Sequence, residues 1–184
     1  MTNVTTPLFK EDYTLNKKVT EDIWRLMEEV SDPEIPVISV IDLGIVRDVV
    51  VNLSDNGEIL DGIISITPTY SGCPAMDAIS LDIKLKLLEH GFKNVQVKSV
   101  LSPAWTTDWM SETGKEKLKA FGIAPPTPTA SVCNTKLFAE AEAIQCPLCD
   151  CYHTKLISRF GSTACKALYQ CEDCKEPFDY FKCH

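Results

Sequence analysis

Two short pairs of cysteines dominate the chemistry that this sequence could do. In CPLC, Cys146 and Cys149 stand two residues apart, and in CEDC, Cys171 and Cys174 do the same, with 21 residues between the pairs. Each pair can present two sulfurs from one tight turn, and two such turns facing each other close a tetrahedral thiolate site. Zinc is the metal expected there; iron held by the same four sulfurs is the rival, because tetrahedral sulfur suits both. A tail of roughly 40 residues buries too little core to fold alone, so the metal is expected to supply the missing stability. HTKLISRFGS and KALYQ, between the pairs, read as the strands of a small hairpin.

A third cysteine stands apart from these. Cys73, in TPTYSGCPAMD, is expected at the N-cap of a helix, with Pro74 at the first helical position. Free N–H groups and the macrodipole at a helix start favour a negative sulfur, which would make Cys73 a metal ligand or a nucleophile. Gly72 before it leaves room for a ligand or partner to approach. Asp32 and Glu34, in DPEIP, are two acids held between prolines. They either cap the following turn in solvent or lie beside Cys73 and assist metal handling, and spacing alone does not decide between these. Thiol catalysis usually needs an adjacent base. His90 is expected at the far end of the Cys73 helix, and His153 and His184 lie in the cysteine-rich tail, so a thiol-dependent enzyme acting on a CoA ester is poorly supported. Nor is there a glycine-rich phosphate cradle of the G-x-G-x-x-G or P-loop kind. Cys151 is an alternative ligand two residues beyond Cys149. Cys165, in GSTACKA, falls where a hairpin turn is expected, either as a small buried residue or an exposed bystander, or as part of a second, exchangeable metal or docking site.

The elements that must position these residues are legible in outline. Residues 1–18 lack periodicity and are expected to be a flexible arm. A helix should start with Thr20 as N-cap and bury Ile23, Leu26, Met27 and Val30, ending at Ser31-Asp32-Pro33. Strands are expected from Ile45 to Leu53 and over 62–66, joined through Asn56-Gly57. The Cys73 helix, with the stripe Met76, Ile79, Ile83 and Leu87, should run to Gly91, and Val95 to Leu101 should form a strand parallel to the preceding one. A short helix near 111–121 ends at Gly122, and APPTPTAS reads as linker. The expected organisation is an arm (1–18), a small α/β domain with a mixed three- to four-stranded sheet (19–123), a linker (124–143) and a zinc-ribbon β module (144–184).

Charge limits the partners. The formal net charge is −8, without a basic tract, which argues against nucleic acid, whose binding rests on cations neutralising phosphates. No stretch approaches the roughly 20 apolar residues of a membrane span, and the first residues lack an apolar signal core, so a cytoplasmic location is expected. In a reducing compartment, paired cysteines point to metal or redox chemistry rather than disulfides.

DPEIP, IDLGIV and PTYSGCP together resemble the SufT-like family of iron–sulfur assembly factors. With PAWTTDWM, GIAPP and the terminal CPLC…FGSTACKALYQCEDCKEPFDYFK, residues 20–184 resemble more narrowly the D-subunit family of phenylacetyl-CoA epoxidase systems. The resemblance implies a non-catalytic accessory role in aerobic phenylacetate breakdown, beside a di-iron oxygenase that epoxidises the ring and a flavin and [2Fe–2S] reductase. It implies insertion of iron or an iron–sulfur cluster into the oxygenase or reductase partner. Cys73 would be the transient ligand of that iron or cluster, and Asp32 and Glu34 match the family's acidic turn. A structural adaptor bridging reductase and oxygenase is the alternative, and a second copy of the chain is a further candidate partner. The sequence itself lacks the paired Glu-x-x-His motifs of a di-iron bundle and the C-x4-C-x2-C run of a plant-type cluster. Cys151, Cys183 and His184 receive no role from the resemblance.

Overall fold

The computed structural model describes residues 9–54, 56, 59–126 and 144–182. The expectations for residues 1–8, for Gly57, for most of the linker, and for Cys183 and His184 lie outside these.

The first helix, α1, spans Phe9–Glu28, so residues 9–18 are helical where a loose arm was expected. Thr20 lies inside this helix, and its hydroxyl donates to the Asn16 carbonyl at 2.9 Å instead of capping. The apolar stripe falls as expected: Ile23 and Met27 are fully buried. The chain then turns sharply, and β1 (Val46–Leu53) pairs antiparallel with β2 (Ile59–Ile66). Helix α2 (Ala75–Glu89) crosses to β3 (Val95–Ser99), which pairs parallel with β2. The resulting sheet has three strands in the order β1-β2-β3. Ile64 and Ile66 alternate inward along β2, and Ile79, Ile83 and Leu87 recur along α2, so both periodicities feed one core. Among the described residues no helix is long and apolar enough to cross a membrane.

Beyond β3, Thr107–Trp109 forms a 3₁₀ turn and α3 spans Glu112–Ala120, capped by the Ser111 hydroxyl. Asp42 ties this segment to the turn before β1. Its carboxylate accepts from the Ser39 N–H at 3.1 Å and the Ser111 hydroxyl at 2.9 Å, and it pairs with Lys117 at 2.6 Å. Gly44, at φ +67°, lets the backbone of Trp109 lie where any Cβ would collide with it.

The tail forms β5 (Thr154–Ser158), β6 (Lys166–Cys171) and β7 (Pro177–Phe181), an antiparallel meander. A two-residue strand, β4 (Ile123–Ala124), pairs parallel with β7, giving a second sheet in the order β4-β7-β6-β5. The α/β domain thus hands its last residues to the sheet of the ribbon. Phe181 and Cys165 of the ribbon are buried in the core of the α/β domain, and the Trp105 and Phe181 rings meet edge to face at 6.1 Å.

Candidate functional sites

The first site lies at the end of the ribbon sheet. The sulfurs of Cys146, Cys149, Cys171 and Cys174 all lie within 4.8 Å of one another. Cys146 and Cys174 are 3.8 Å apart and Cys149 and Cys171 are 3.5 Å apart. A tetrahedron with metal–sulfur bonds of about 2.3 Å has sulfurs about 3.8 Å apart, so four thiolates at these spacings fit zinc.

Two matching turns bring the sulfurs there. In each, the fourth residue after the first cysteine takes positive φ, Asp150 at 61° and Lys175 at 69°. In each, the glutamine before the first cysteine donates to the carbonyl of that residue: Gln145 to Asp150 at 3.0 Å and Gln170 to Lys175 at 3.1 Å. Sequence reasoning missed these glutamines, although the repeated Q-C-x2-C was their signal. Packed sulfurs cannot all ionise without a cation among them. Burial pushes the Cys146 thiol up. Burial also opposes ionisation of Cys171, yet the Cys174 N–H and the Cys151 thiol bring its pKa down to about 6. Cys151 does not replace Cys149 in the quartet; it sits beside it, 3.2 Å from the Cys171 sulfur.

The second site is a cleft of about 10 Å³ lined by Asp32, Glu34, Thr69, Cys73, Cys165 and Phe181, among others. Four segments far apart in sequence meet there. Pro74, rather than Cys73, occupies the N-cap of α2, so Cys73 is one residue outside the position expected. Its N–H donates to the Tyr70 carbonyl and its carbonyl accepts from Met76, both at 3.3 Å. Gly72 has φ +83° and open space around its missing Cβ, so the approach to Cys73 is unobstructed on that side. The Tyr70 phenol bonds the Cys73 side chain. Burial first, and then the neighbouring Cys73, Cys165 and Glu34 charges, push its pKa up to about 12.

The acidic turn divides its labour. Asp32 Oδ1 accepts from the N–H groups of Glu34 and Ile35, both at 2.8 Å, so Asp32 does cap its turn. It is buried rather than solvated, and that burial raises its pKa. Glu34 is half-buried, and its Oε2 lies 3.8 Å from the Cys165 sulfur. Cys165 falls in the turn leading into β6, as expected, and is buried there, with the Thr163 hydroxyl at 2.9 Å. Burial pushes its thiol up. Among the described residues no histidine lines this cleft. His90 is the C-cap of α2, and His153 lies between Glu172 and Asp173 in the ribbon.

Comparison with known proteins identifies the families to which the two parts of the chain are similar. Residues 20–99 match the family described as "Iron-sulfur cluster assembly protein", and residues 130–182 match "PaaD zinc beta ribbon domain". The chain is 47% identical over 170 residues to the putative D subunit of 1,2-phenylacetyl-CoA epoxidase of Escherichia coli (strain K12), covering 92% of this chain and 96% of that one. It is 39% identical over 95 residues to an "Fe-S protein maturation auxiliary factor" of Porphyromonas gingivalis (strain ATCC BAA-308 / W83), covering 50% of this chain and 83% of that one. Among solved structures, a domain of unknown function (DUF59) from Bacillus anthracis superposes with a TM-score of 0.50 at 27% identity, covering 58% of this chain and 96% of that one. An assembly-type α/β domain joined to a zinc ribbon, matched along nearly the whole of a relative's length, places the chain in the family of 1,2-phenylacetyl-CoA epoxidase D subunits.

Proposed function

We propose that this chain is a non-catalytic accessory subunit of a phenylacetyl-CoA epoxidase system, carrying iron, alone or within an iron–sulfur cluster, to the oxygenase or reductase subunit in the cytoplasm. Cys73 is its cargo ligand, with Glu34 and Asp32 as the acidic flank, and the four ribbon cysteines hold zinc. The observation that carries the reading is the meeting of Cys73 with Glu34 and Asp32 in one cleft. At about 10 Å³ the cleft has the room of roughly one water molecule, so it suits an ion. Among the described residues no histidine lines the cleft as a base for Cys73, which argues against a thiol-dependent enzyme.

The test is co-expression with the oxygenase and reductase subunits. Cys73→Ala should fold and keep its ribbon zinc, yet leave a partner under-loaded with iron. Fully loaded partners in that variant would sink the carrier reading. A second reading, an adaptor that bridges the two partners, draws on the exposed Leu81, Leu85 and Leu88 of α2, an apolar stripe facing solvent. It predicts co-purification in fixed stoichiometry and full partner loading without Cys73.

A further inference from the structure

The carrier reading needs only Cys73 and its acidic flank, all from the α/β domain. The cleft contains one thing more: a sulfur from the ribbon. We propose that Cys73, Cys165 and Glu34 together bind a single ferrous ion, with the ribbon closing the site, and that this ion rather than a preformed cluster is the cargo. The inference rests on the carrier reading and narrows it.

Three observations support it. Cys165 is fixed rather than incidental. Its carbonyl accepts from Lys182 at 2.9 Å, Gly161 closes the turn onto Lys166 at 2.8 Å, and Phe181 locks the adjoining strand into the α/β core. Its sulfur therefore stays at the cleft, 3.8 Å from the Glu34 carboxylate, for as long as the ribbon is docked. The donor set is the second observation. Two sulfurs with one carboxylate mix soft and hard ligands, which suits ferrous iron and does not suit magnesium or calcium, which prefer oxygen alone. Nearby cations temper the negative charge: Lys166 and Lys182 both act electrostatically on Cys165, and Lys166 also pairs with Asp179 at 3.5 Å. The third observation is size. About 10 Å³, the room of roughly one water molecule, accommodates one ion.

Among the described residues, the ribbon quartet is the group whose donor atoms all lie within 4.8 Å of one another. The cleft donors are not grouped so closely and would have to draw together on the ion.

The experiment is anaerobic titration of the full, zinc-loaded chain with ferrous ion, with and without sulfide. Ribbon zinc content and near-UV circular dichroism are followed in parallel. The wild type should take up about one ferrous ion per chain without sulfide, and Cys73→Ser and Cys165→Ser should each weaken binding at least about tenfold. Both variants should keep the ribbon zinc and the aromatic signal, so that the loss is one of a ligand and not of the fold. Glu34→Gln serves as a third variant, isosteric and remote from the ribbon zinc, and should weaken binding in the same direction. Wild-type affinity in Cys165→Ser, with loss in Cys73→Ser, would overturn the ribbon's part and leave the carrier reading standing. Iron uptake only when sulfide is supplied would overturn the single-ion cargo and keep the carrier. No iron uptake under either condition would overturn both.

Discussion

The Phe181 ring stands 6.1 Å from that of Trp105, inclined at 62°, and so seats the last strand of the ribbon in the core of the α/β domain. Trp105 is anchored in turn, its indole N–H donating to the Leu43 carbonyl at 2.8 Å. Because Cys165 immediately precedes β6, whose first residue Lys166 lies opposite Phe181 of β7, the seating of one fixes the other. Phe181→Ala should therefore do more than leave a cavity. A buried phenylalanine truncation costs about 3–5 kcal/mol, and here the loss should fall on the contact between the domains. Thermal unfolding should split or shift downward, and limited proteolysis should release the ribbon segment early. A single unfolding transition at the wild-type temperature would show that β4 alone holds the domains together.

Removal of the ribbon metal should act in the same direction. The quartet supplies the ribbon's centre, and the small second core, of Ala124, Ile144, Tyr169, Phe178 and Tyr180 among others, has little apolar area without it. Cys146→Ala leaves three sulfurs and removes a fully buried one. The variant should lose the capacity to bind a metal in the ribbon and become protease-sensitive beyond Ile144, while circular dichroism retains the helical signal of the α/β domain. Acidification should release the metal, since protons compete with it for the thiolates.

Asp42 should govern stability in acid. Burial resists its ionisation, but Lys117, the Ser39 N–H and the Ser111 hydroxyl together hold its pKa below the ordinary value of 3.8. A depressed carboxylate contributes stability that is present above its unfolded value and lost as the pH falls through its folded one. The wild type should therefore weaken below about pH 4 through this group. Asp42→Ala should cost about 1–3 kcal/mol at neutral pH by leaving the Ser39 N–H and Ser111 hydroxyl without their partner, and should flatten that acid dependence. Urea melts across the acid range read both effects.

Much of this arrangement was legible in the sequence, and the rest has identifiable reasons for being hidden. The quartet followed from spacing, because each C-x2-C pair is a local turn whose geometry does not depend on the rest of the chain. The strands and α2 followed from periodicity, as in the Ile79, Ile83 and Leu87 stripe. Phe9 to Lys18 were missed because this stretch carries no apolar stripe to signal a helix. The position of Cys165 was beyond reach for a different reason. It depends on the docking of the ribbon, which rests on a two-residue strand at Ile123–Ala124 and on Phe181, and neither announces a partner 50 or more residues away. Asp32 was half legible: the proline-flanked turn pointed to a cap, but burial of that cap required Ile35 and Ile38 to fold inward, both 1% exposed or less.

That buried cap gives the fourth prediction, with the opposite sign to Asp42. Burial raises the Asp32 pKa despite the two N–H groups that its carboxylate accepts. A raised carboxylate contributes stability that is fully present below its unfolded value of 3.8 and is lost as the pH rises through the folded value. At neutral pH the charged form is therefore held at a cost. Asn at this position keeps an oxygen for the Glu34 and Ile35 N–H groups and carries no charge. Asp32→Asn should accordingly be at least as stable as the wild type at neutral pH, and its advantage should shrink as the pH falls towards 3.8. Paired urea melts across that range measure the difference. A variant less stable than the wild type at neutral pH would mean that the negative charge itself, set against Lys166, holds the turn. A variant that is stable but takes up less ferrous ion would place the charge of Asp32 in the service of the cleft rather than of the fold.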